Sequence, residues 1–250
     1  MVTEWRLLEL ESNNAFQNMA LDESICEHVS QGKSPPTIRF FKWNPSAVSI
    51  GYFQSLEQEV NQAKCKELGI DIVRRRTGGG AVYHDRDGEI TYSMIAPESF
   101  FPKGITESYW NICGHIITGL AHLGIQSDFK PINDIIVCGK KISGNAQTRR
   151  NGVLLQHGTI LYDLDVEKMF SLLKVSKEKI SDKLIASVKE RVTCIKDHAS
   201  VSRQELYEAL QKGFCENKTI ITEKISDSEL ERAQQLAQEK YASKEWLDWR

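Results

Sequence analysis

The feature that most constrains this chain is the run Arg74-Arg75-Arg76-Thr77-Gly78-Gly79-Gly80-Ala81-Val82-Tyr83-His84-Asp85, entered from the alternating, β-branched stretch Ile70–Val73. The stretch reads as a strand. Three consecutive glycines suit no regular element, because each loses more backbone freedom on folding than any other residue. They make sense where the main chain passes close to something. Glycine amides beside the Thr77 hydroxyl offer donors with no side chain in the way, and Arg74 to Arg76 add charge. Together they suit an anionic group, a phosphate or a carboxylate, lying on the backbone. The plainer reading is a tight turn beside a solvated basic run.

The rest of the chain alternates between strand and helix periods. Trp5–Glu9, Thr37–Trp43, Ala47–Tyr52 and Glu89–Ala96 read as strands, the last half-buried because Ile90, Tyr92 and Met94 alternate with Thr91 and Ser93. Asn18–Val29, Leu56–Leu68 and Ile105–Leu123 read as amphipathic helices, the second stopped by Gly69. Ile135–Val137 and Lys141–Ser143 flank Cys138-Gly139 as a hairpin. Val153–Tyr162 is a buried strand pair, or one strand interrupted near His157. From Val166 the chain becomes charged and helical, with segments at Val166–Leu173, Gln204–Phe214 and Asp227–Lys240, the last capped by Asp227 or Ser228. The expected class is α+β: a mixed β-sheet core flanked by helices, in one domain over 1–250 whose portion from about 166 to 250 is helical.

A net charge of −2 gives no global field favouring nucleic acid or membrane, and no apolar run approaches the length of a membrane span. The N-terminus has no signal-peptide pattern, so a cytoplasmic protein is expected. The six cysteines stand singly, at Cys26, Cys65, Cys113, Cys138, Cys194 and Cys215, with no CxxC pair. That favours small buried residues in a reducing compartment over a metal ribbon.

A second stretch, Asn133-Asp134-Ile135-Ile136-Val137-Cys138-Gly139-Lys140-Lys141-Ile142-Ser143-Gly144-Asn145-Ala146-Gln147, is followed by Gln156-His157-Gly158-Thr159-Ile160-Leu161. With the glycine run, these resemble the large catalytic domain of lipoate–protein ligases, which belong with biotin ligases and the lipoyl-pathway octanoyltransferases. The resemblance runs from Asn18-Met19-Ala20-Leu21-Asp22-Glu23 to Lys240-Tyr241. It implies the biotin/lipoate ligase type of fold. It also implies an enzyme that uses ATP to activate lipoate as an adenylate, then transfers the lipoyl group to a lysine of a carrier domain, of the 2-oxoacid dehydrogenase E2 or glycine cleavage H protein type. Arg75 matches the nucleotide-contacting arginine of that family, and Gly80, Ala81, Val82 and Tyr83 match its adenylate-lining backbone. A plain strand is an equally valid reading of Ala81–Tyr83. Thr77, with Gly78 and Gly79, would face a phosphate, or Thr77 would simply cap the loop. Asn133 and Asp134 match the family's Asn-Asp pair, and Asp134 would hold Mg2+ with the phosphates; as ordinary chemistry they are turn residues.

Lys141 is the expected catalytic residue. A lysine opening an otherwise apolar strand is unusual, and one ammonium there would stabilise charge at the acyl carbonyl. Strand alternation lets only one of Lys140 and Lys141 face the site, and the motif selects Lys141. Gly144, His157, Gly158 and Thr159 complete the expected ligand-binding set. His157 would line the site without transferring a proton, and Gly158 would permit close approach. Trp43 and Tyr52 are candidates for an apolar tunnel. Many ligases of this family continue into a small accessory domain, which is expected to be absent here and supplied, where needed, by a separate subunit.

The octanoyltransferase alternative works through a cysteine thioester instead of ATP. Ile38–Trp43, Ser49–Gln54 and Gly144–Gln147 resemble one branch of those enzymes. That branch carries its cysteine where this chain has Pro131-Ile132-Asn133-Asp134. The nearest thiol is Cys138, whose pKa Lys140 and Lys141 could depress. The intact Arg-Thr-Gly-Gly-Gly-Ala-Val run and Asn133-Asp134 favour the ligase on motif count. A non-catalytic module that binds lipoate or a carrier is the remaining alternative.

Overall fold

The structure is a computed structural model that describes residues 4–174 and 190–250. Its centre is an eight-stranded mixed sheet. In spatial order the strands are β11 (Thr219–Thr222), β1 (Glu4–Asn13), β2 (Thr37–Trp43), β6 (Glu89–Pro97), β10 (Val153–Leu161), β9 (Lys140–Arg150), β8 (Asp134–Val137) and β7 (Asp128–Lys130). β1 runs parallel to both its neighbours; the other pairings are antiparallel. A second sheet of three strands, β4 (Asp71–Arg74), β3 (Ala47–Ile50) and β5 (Val82–His84), carries the glycine run between β4 and β5. The α+β expectation is met.

Helices cover both faces of the large sheet. On one side α4 (Ile105–Ala121) and α6 (Arg203–Cys215) press Ile112, Ile116, Leu206 and Leu210 onto Ile38, Phe40, Tyr92 and Leu154. On the other lie α1 (Ala15–Ser30) and α7 (Asp227–Leu236). β6 is therefore buried on both faces, not half-buried: of the residues that looked solvent-facing by alternation, Ser93 binds Asp22 of α1 and Thr91 binds Glu89. α1 is itself covered on most sides, so its polar residues are buried too. Arg39 meets Asp22 and Asn18, while Lys240 and Tyr241 both bind the Glu23 carboxylate. The first and last pieces of the recognised pattern thus touch.

Several boundaries differ from the sequence reading. Leu56–Leu68 is two short helices, α2 (Leu56–Glu59) and α3 (Gln62–Glu67), because Val60 is extended and bridges to Leu173. Gly69 ends α3 at φ +61°, as a stop should. β10 is one unbroken strand through His157. α7 is capped by Ser226, one residue earlier than expected, in a reciprocal box with Glu229. The C-terminal portion is not wholly helical: α5 (Val166–Leu172), α6 and α7 are joined by β11, which extends the main sheet. Residues 175–189 of that portion lie outside the described residues. No described helix is long and apolar enough to cross a membrane.

Candidate active site

A cavity of about 330 Å³ lies where the two sheets meet, lined from β3, β5, β6, β9, β10 and α1 and closed by Leu164, Met169 in α5, Leu173 and Val192. Its walls are mostly apolar, with Met19, Trp43, Val82 and Leu161 among them, and that volume sits at the small end of ligand pockets. Of the expected residues, Arg75, Gly79, Gly80, Ala81, Val82, Tyr83, Asn133, Lys141, Gly144, His157, Gly158 and Thr159 line it. Thr77, Gly78 and Asp134 do not, although each touches a residue that does. Trp43 lines it; Tyr52 instead packs edge-on against Phe53 and at a tilt against Trp246 and Trp249.

The three arginines do not act together. Arg74 is fully buried, and its guanidinium donates to the carbonyls of Gly51, Tyr52, Gln54, Trp246 and Leu247. Arg76 approaches Glu23 at 3.7 Å. Only Arg75 turns into the glycine loop. It donates to the carbonyls of Gly78 at 2.8 Å and Gly80 at 2.7 Å, and to Ser49 and the Thr77 hydroxyl. The loop is therefore wrapped around its own guanidinium. Within the run the geometry demands glycine at Gly79 alone, and outside it at Gly51. Gly79 sits at φ +93°, and a Cβ on Gly51 would collide with the Gly79 carbonyl.

Among the described residues Arg75 has no carboxylate partner, and burial lowers its pKa to about 10. Two chains of the same design reach it instead. In one, the Asp22 carboxylate holds His157 Nδ1 at 3.1 Å, and His157 Nε2 meets the Thr77 hydroxyl at 2.7 Å. In the other, Glu89 holds His84 Nδ1 at 2.7 Å, and His84 Nε2 meets the Ser49 hydroxyl at 2.8 Å. Each hydroxyl accepts from Arg75, at 3.1 Å in both cases. With Nδ1–H donating to the carboxylate, each Nε2 accepts the hydroxyl proton, and every donor finds an acceptor. Burial lowers the His157 pKa despite Asp22, which keeps the ring neutral. Burial opposes the Asp22 carboxylate, but its bond from His157 and the Arg39 charge hold it below the ordinary range. Thr77 is thus committed to Arg75 and His157 and is not free to bind a phosphate. The sequence reading took His84 as a residue that orders the loop without a catalytic step, and it missed Ser49 and Glu89; the only signal for Ser49 was the 2.0-period alternation that puts it on one face of the small sheet with His84.

Lys141 also lines the cavity. The β8–β9 hairpin turns through Cys138 at φ +49° and Gly139 at φ +77°, a geometry that matches the twist of the strands. The Lys141 backbone is pinned on both sides, donating to Arg191 O at 2.7 Å and accepting from Thr193 N at 2.8 Å. Its ammonium pairs with Asp134 at 2.6 Å and rests against Gly144. Lys141 lines the cavity and Lys140 does not. Asn133 and Asn145 exchange side-chain bonds to each other's carbonyls, which ties the start of β8 to β9. Gly158 lies so close to the Asn145 amide and the Tyr92 ring that any Cβ would clash.

The family model for the lipoyl protein ligase A/B catalytic domain matches residues 14–215. Octanoyltransferase LipM of Geobacillus kaustophilus is 39% identical over 97% of this chain and 97% of its own length. Octanoyltransferase LipM of Staphylococcus aureus is 36% identical over 99% of each. Among solved structures, a bi-partite lipoate protein ligase from Thermoplasma acidophilum superposes with a TM-score of 0.88 at 34% identity, over 98% of this chain and 96% of that one. The curated relatives overturn the expectation of an ATP-dependent lipoate ligase, since end-to-end matches carry the octanoyltransferase name. ATP and Mg2+ fall with it. The magnesium expectation at Asp134 needed ATP phosphates to complete the ion's oxygen shell. In the fold, that carboxylate is occupied by the Lys141 ammonium.

Proposed function

Because the chain belongs to the lipoyl protein ligase A/B catalytic-domain family, we propose that it is an octanoyltransferase, moving an eight-carbon acyl group from a carrier thioester to a lysine amine of a lipoyl carrier domain. The observation that carries this reading is the end-to-end similarity to relatives named octanoyltransferase. The cavity is consistent with it: its mostly apolar walls suit an alkyl chain, and the Lys141 ammonium is among its lining groups.

In this reading the acyl chain lies between Met19, Trp43, Leu161 and Met169, with its carbonyl at Lys141. Attack on the carbonyl places negative charge on its oxygen, and the Lys141 ammonium stabilises that charge. The pinned backbone and the Asp134 pair hold the ammonium in position before the substrate arrives, so little reorganisation is needed at the reacting carbon. Arg75 and its two supporting chains fix the glycine loop, whose Gly79 and Gly80 line the cavity. The acceptor would be the lysine of an E2 lipoyl domain or an H protein.

The test is to incubate the purified protein with an octanoyl acyl carrier protein and an unmodified lipoyl domain, and to measure octanoyl-lysine by intact mass. Octanoylation of the acceptor is expected. A wild-type protein that moves no octanoyl group from the thioester would overturn the reading.

A further inference from the structure

We propose that Lys218 is an acyl-acceptor site apart from the cavity: its amine takes an acyl group from a small thioester donor, with His115 as its base. The site goes beyond the transfer reaction above and does not depend on it.

Lys218 stands in the turn between α6 and β11, where its backbone amide donates to Cys215 O at 3.2 Å. Its Nζ reaches α4 and donates to His115 Nε2 at 3.1 Å. The other ring nitrogen, His115 Nδ1, donates to Gly213 O at 3.1 Å. That bond sets the tautomer and leaves the Nε2 lone pair facing Lys218. A nucleophile, a base within hydrogen-bond reach and a third group that orients the base are the parts of an activated nucleophile. Helix packing holds them together. A Cβ on Gly213 would collide with His115 O and the Gly119 backbone, so α6 meets α4 main chain to main chain there. Neither Lys218 nor His115 lines the cavity.

The surroundings suit a neutral amine and an apolar acyl chain. Lys218 is half-buried, and its Nζ lies 5.7 Å from the centre of the Trp5 ring of β1. Trp5 in turn meets Phe100 edge-on at 5.9 Å, and Phe100 is exposed. Among the described residues no carboxylate pairs with Lys218; Cys215 and Glu216, on its own turn, favour its charged form only from a distance. Burial outweighs them and lowers its pKa to about 8 from the ordinary 10.5. Burial, then the Lys218 charge, lowers His115 to about 4, so the ring is neutral and free to accept a proton. Burial raises the Cys215 thiol, which makes the amine the reactive group of this turn.

In the step, the neutral Nζ forms a C–N bond to the thioester carbon, and the C–S bond breaks. The proton shed by nitrogen passes through His115 Nε2 to the departing thiolate. The product is an Nε-acyl-lysine, and no oxidant or reductant is required. With its lowered pKa, Lys218 is neutral on the order of 100-fold more often at pH 7 than an ordinary lysine. Nucleophilicity falls with basicity, as it does for thiols, so the net gain in rate is on the order of 10-fold.

The experiment incubates the full-length protein with octanoyl-CoA and no acceptor domain, across the range from neutral to alkaline pH, and reads each lysine by peptide mass. Near neutral pH, Lys218 should be octanoylated on the order of 10-fold faster than the exposed Lys66 and Lys212. Its rate should level off above about pH 8, while theirs keep rising. His115→Ala should slow Lys218 on the order of 100-fold, the low end for a positioned base, and leave Lys66 unchanged. Lys218→Arg should remove the fast-labelled site from the intact mass. A Lys218 labelled no faster than Lys66, a rate that climbs with theirs into the alkaline range, or full reactivity in a folded His115→Ala protein would each overturn the proposal. The first two are read on the wild-type protein, so a misfolded variant does not blunt the test.

Discussion

Substituting alanine for Gly144 tests the placement of Lys141 without removing it. Gly144 lies on β9 three residues after Lys141, and an added Cβ would fall 2.8 Å from both Lys141 Cε and Nζ and 3.9 Å from Asp134 Oδ1. A relaxed contact between such atoms is about 3.5–4.0 Å. The ammonium must therefore move by roughly 1 Å, and a displacement of that size near a reacting group costs on the order of 100-fold. The atoms that yield are the far end of a flexible side chain, so the fold should be little affected. A change of about 1 kcal/mol would move the melting temperature of a chain this long by only about 2–4 °C. The assay is octanoyl-lysine formation at saturating donor and acceptor, with thermal melts in parallel. We expect Gly144→Ala to melt within that window and to lose kcat on the order of 100-fold, approaching the roughly 100- to 1,000-fold loss expected for Lys141→Ala. Wild-type kcat in a folded Gly144→Ala protein would refute the placement of the reacting carbonyl at Lys141.

Lys140→Ala should cost little activity, because Lys140 does not line the cavity and carries the same charge at nearly the same place; equal losses in Lys140→Ala and Lys141→Ala would mean that only the field of the hairpin matters. Glu229→Ala should destabilise the fold by about 3–5 kcal/mol without a specific kcat effect, since it strands the buried Arg6 guanidinium now bound by both carboxylate oxygens; chemical denaturation checks it. Burial opposes the Glu229 carboxylate, but Arg6, Ser226 and Ser34 together hold its pKa at about 2, below the ordinary 4.5. Its stabilising contribution is therefore complete above about pH 4.5 and lost as pH falls toward about 2. The melting temperature should drop across that window more steeply in the wild type than in Glu229→Gln.

The sequence disclosed the parts of the site governed by local chemistry. A glycine run after a β-branched stretch marks a loop whatever surrounds it, and Cys138-Gly139 between the strand-like runs Ile135–Val137 and Lys141–Ser143 marks a hairpin. Strand alternation allowed only one of Lys140 and Lys141 to face the site, and the family resemblance selected Lys141. What was hidden depends on contacts between distant segments. Arg74, Arg75 and Arg76 look equivalent in the sequence, yet the first is spent on carbonyls of residues 246 and 247, the second on the loop and the third near Glu23. Thr91 and Ser93 resemble a solvent face because alternation alone cannot show that both are buried. Ser49, His84 and Glu89 form a chain only because β3, β5 and β6 are brought together. The ligase expectation failed for a related reason: motifs shared across a superfamily report a common binding architecture, not which activated acyl donor is used.

The clasp on Arg74 also bears on the order in which the protein can be finished. Its Nε donor reaches Trp246 O, 172 positions downstream, and its Nη2 reaches Leu247 O, 173 positions downstream. A nascent chain emerges from the N-terminal end at about 5–20 residues per second. The strand that feeds the glycine loop therefore waits roughly ten seconds or more, at those rates, for the segment that satisfies its buried guanidinium. Long-separation contacts of this kind form late. The setting of the strand that leads into the glycine loop thus waits on residues 246 and 247.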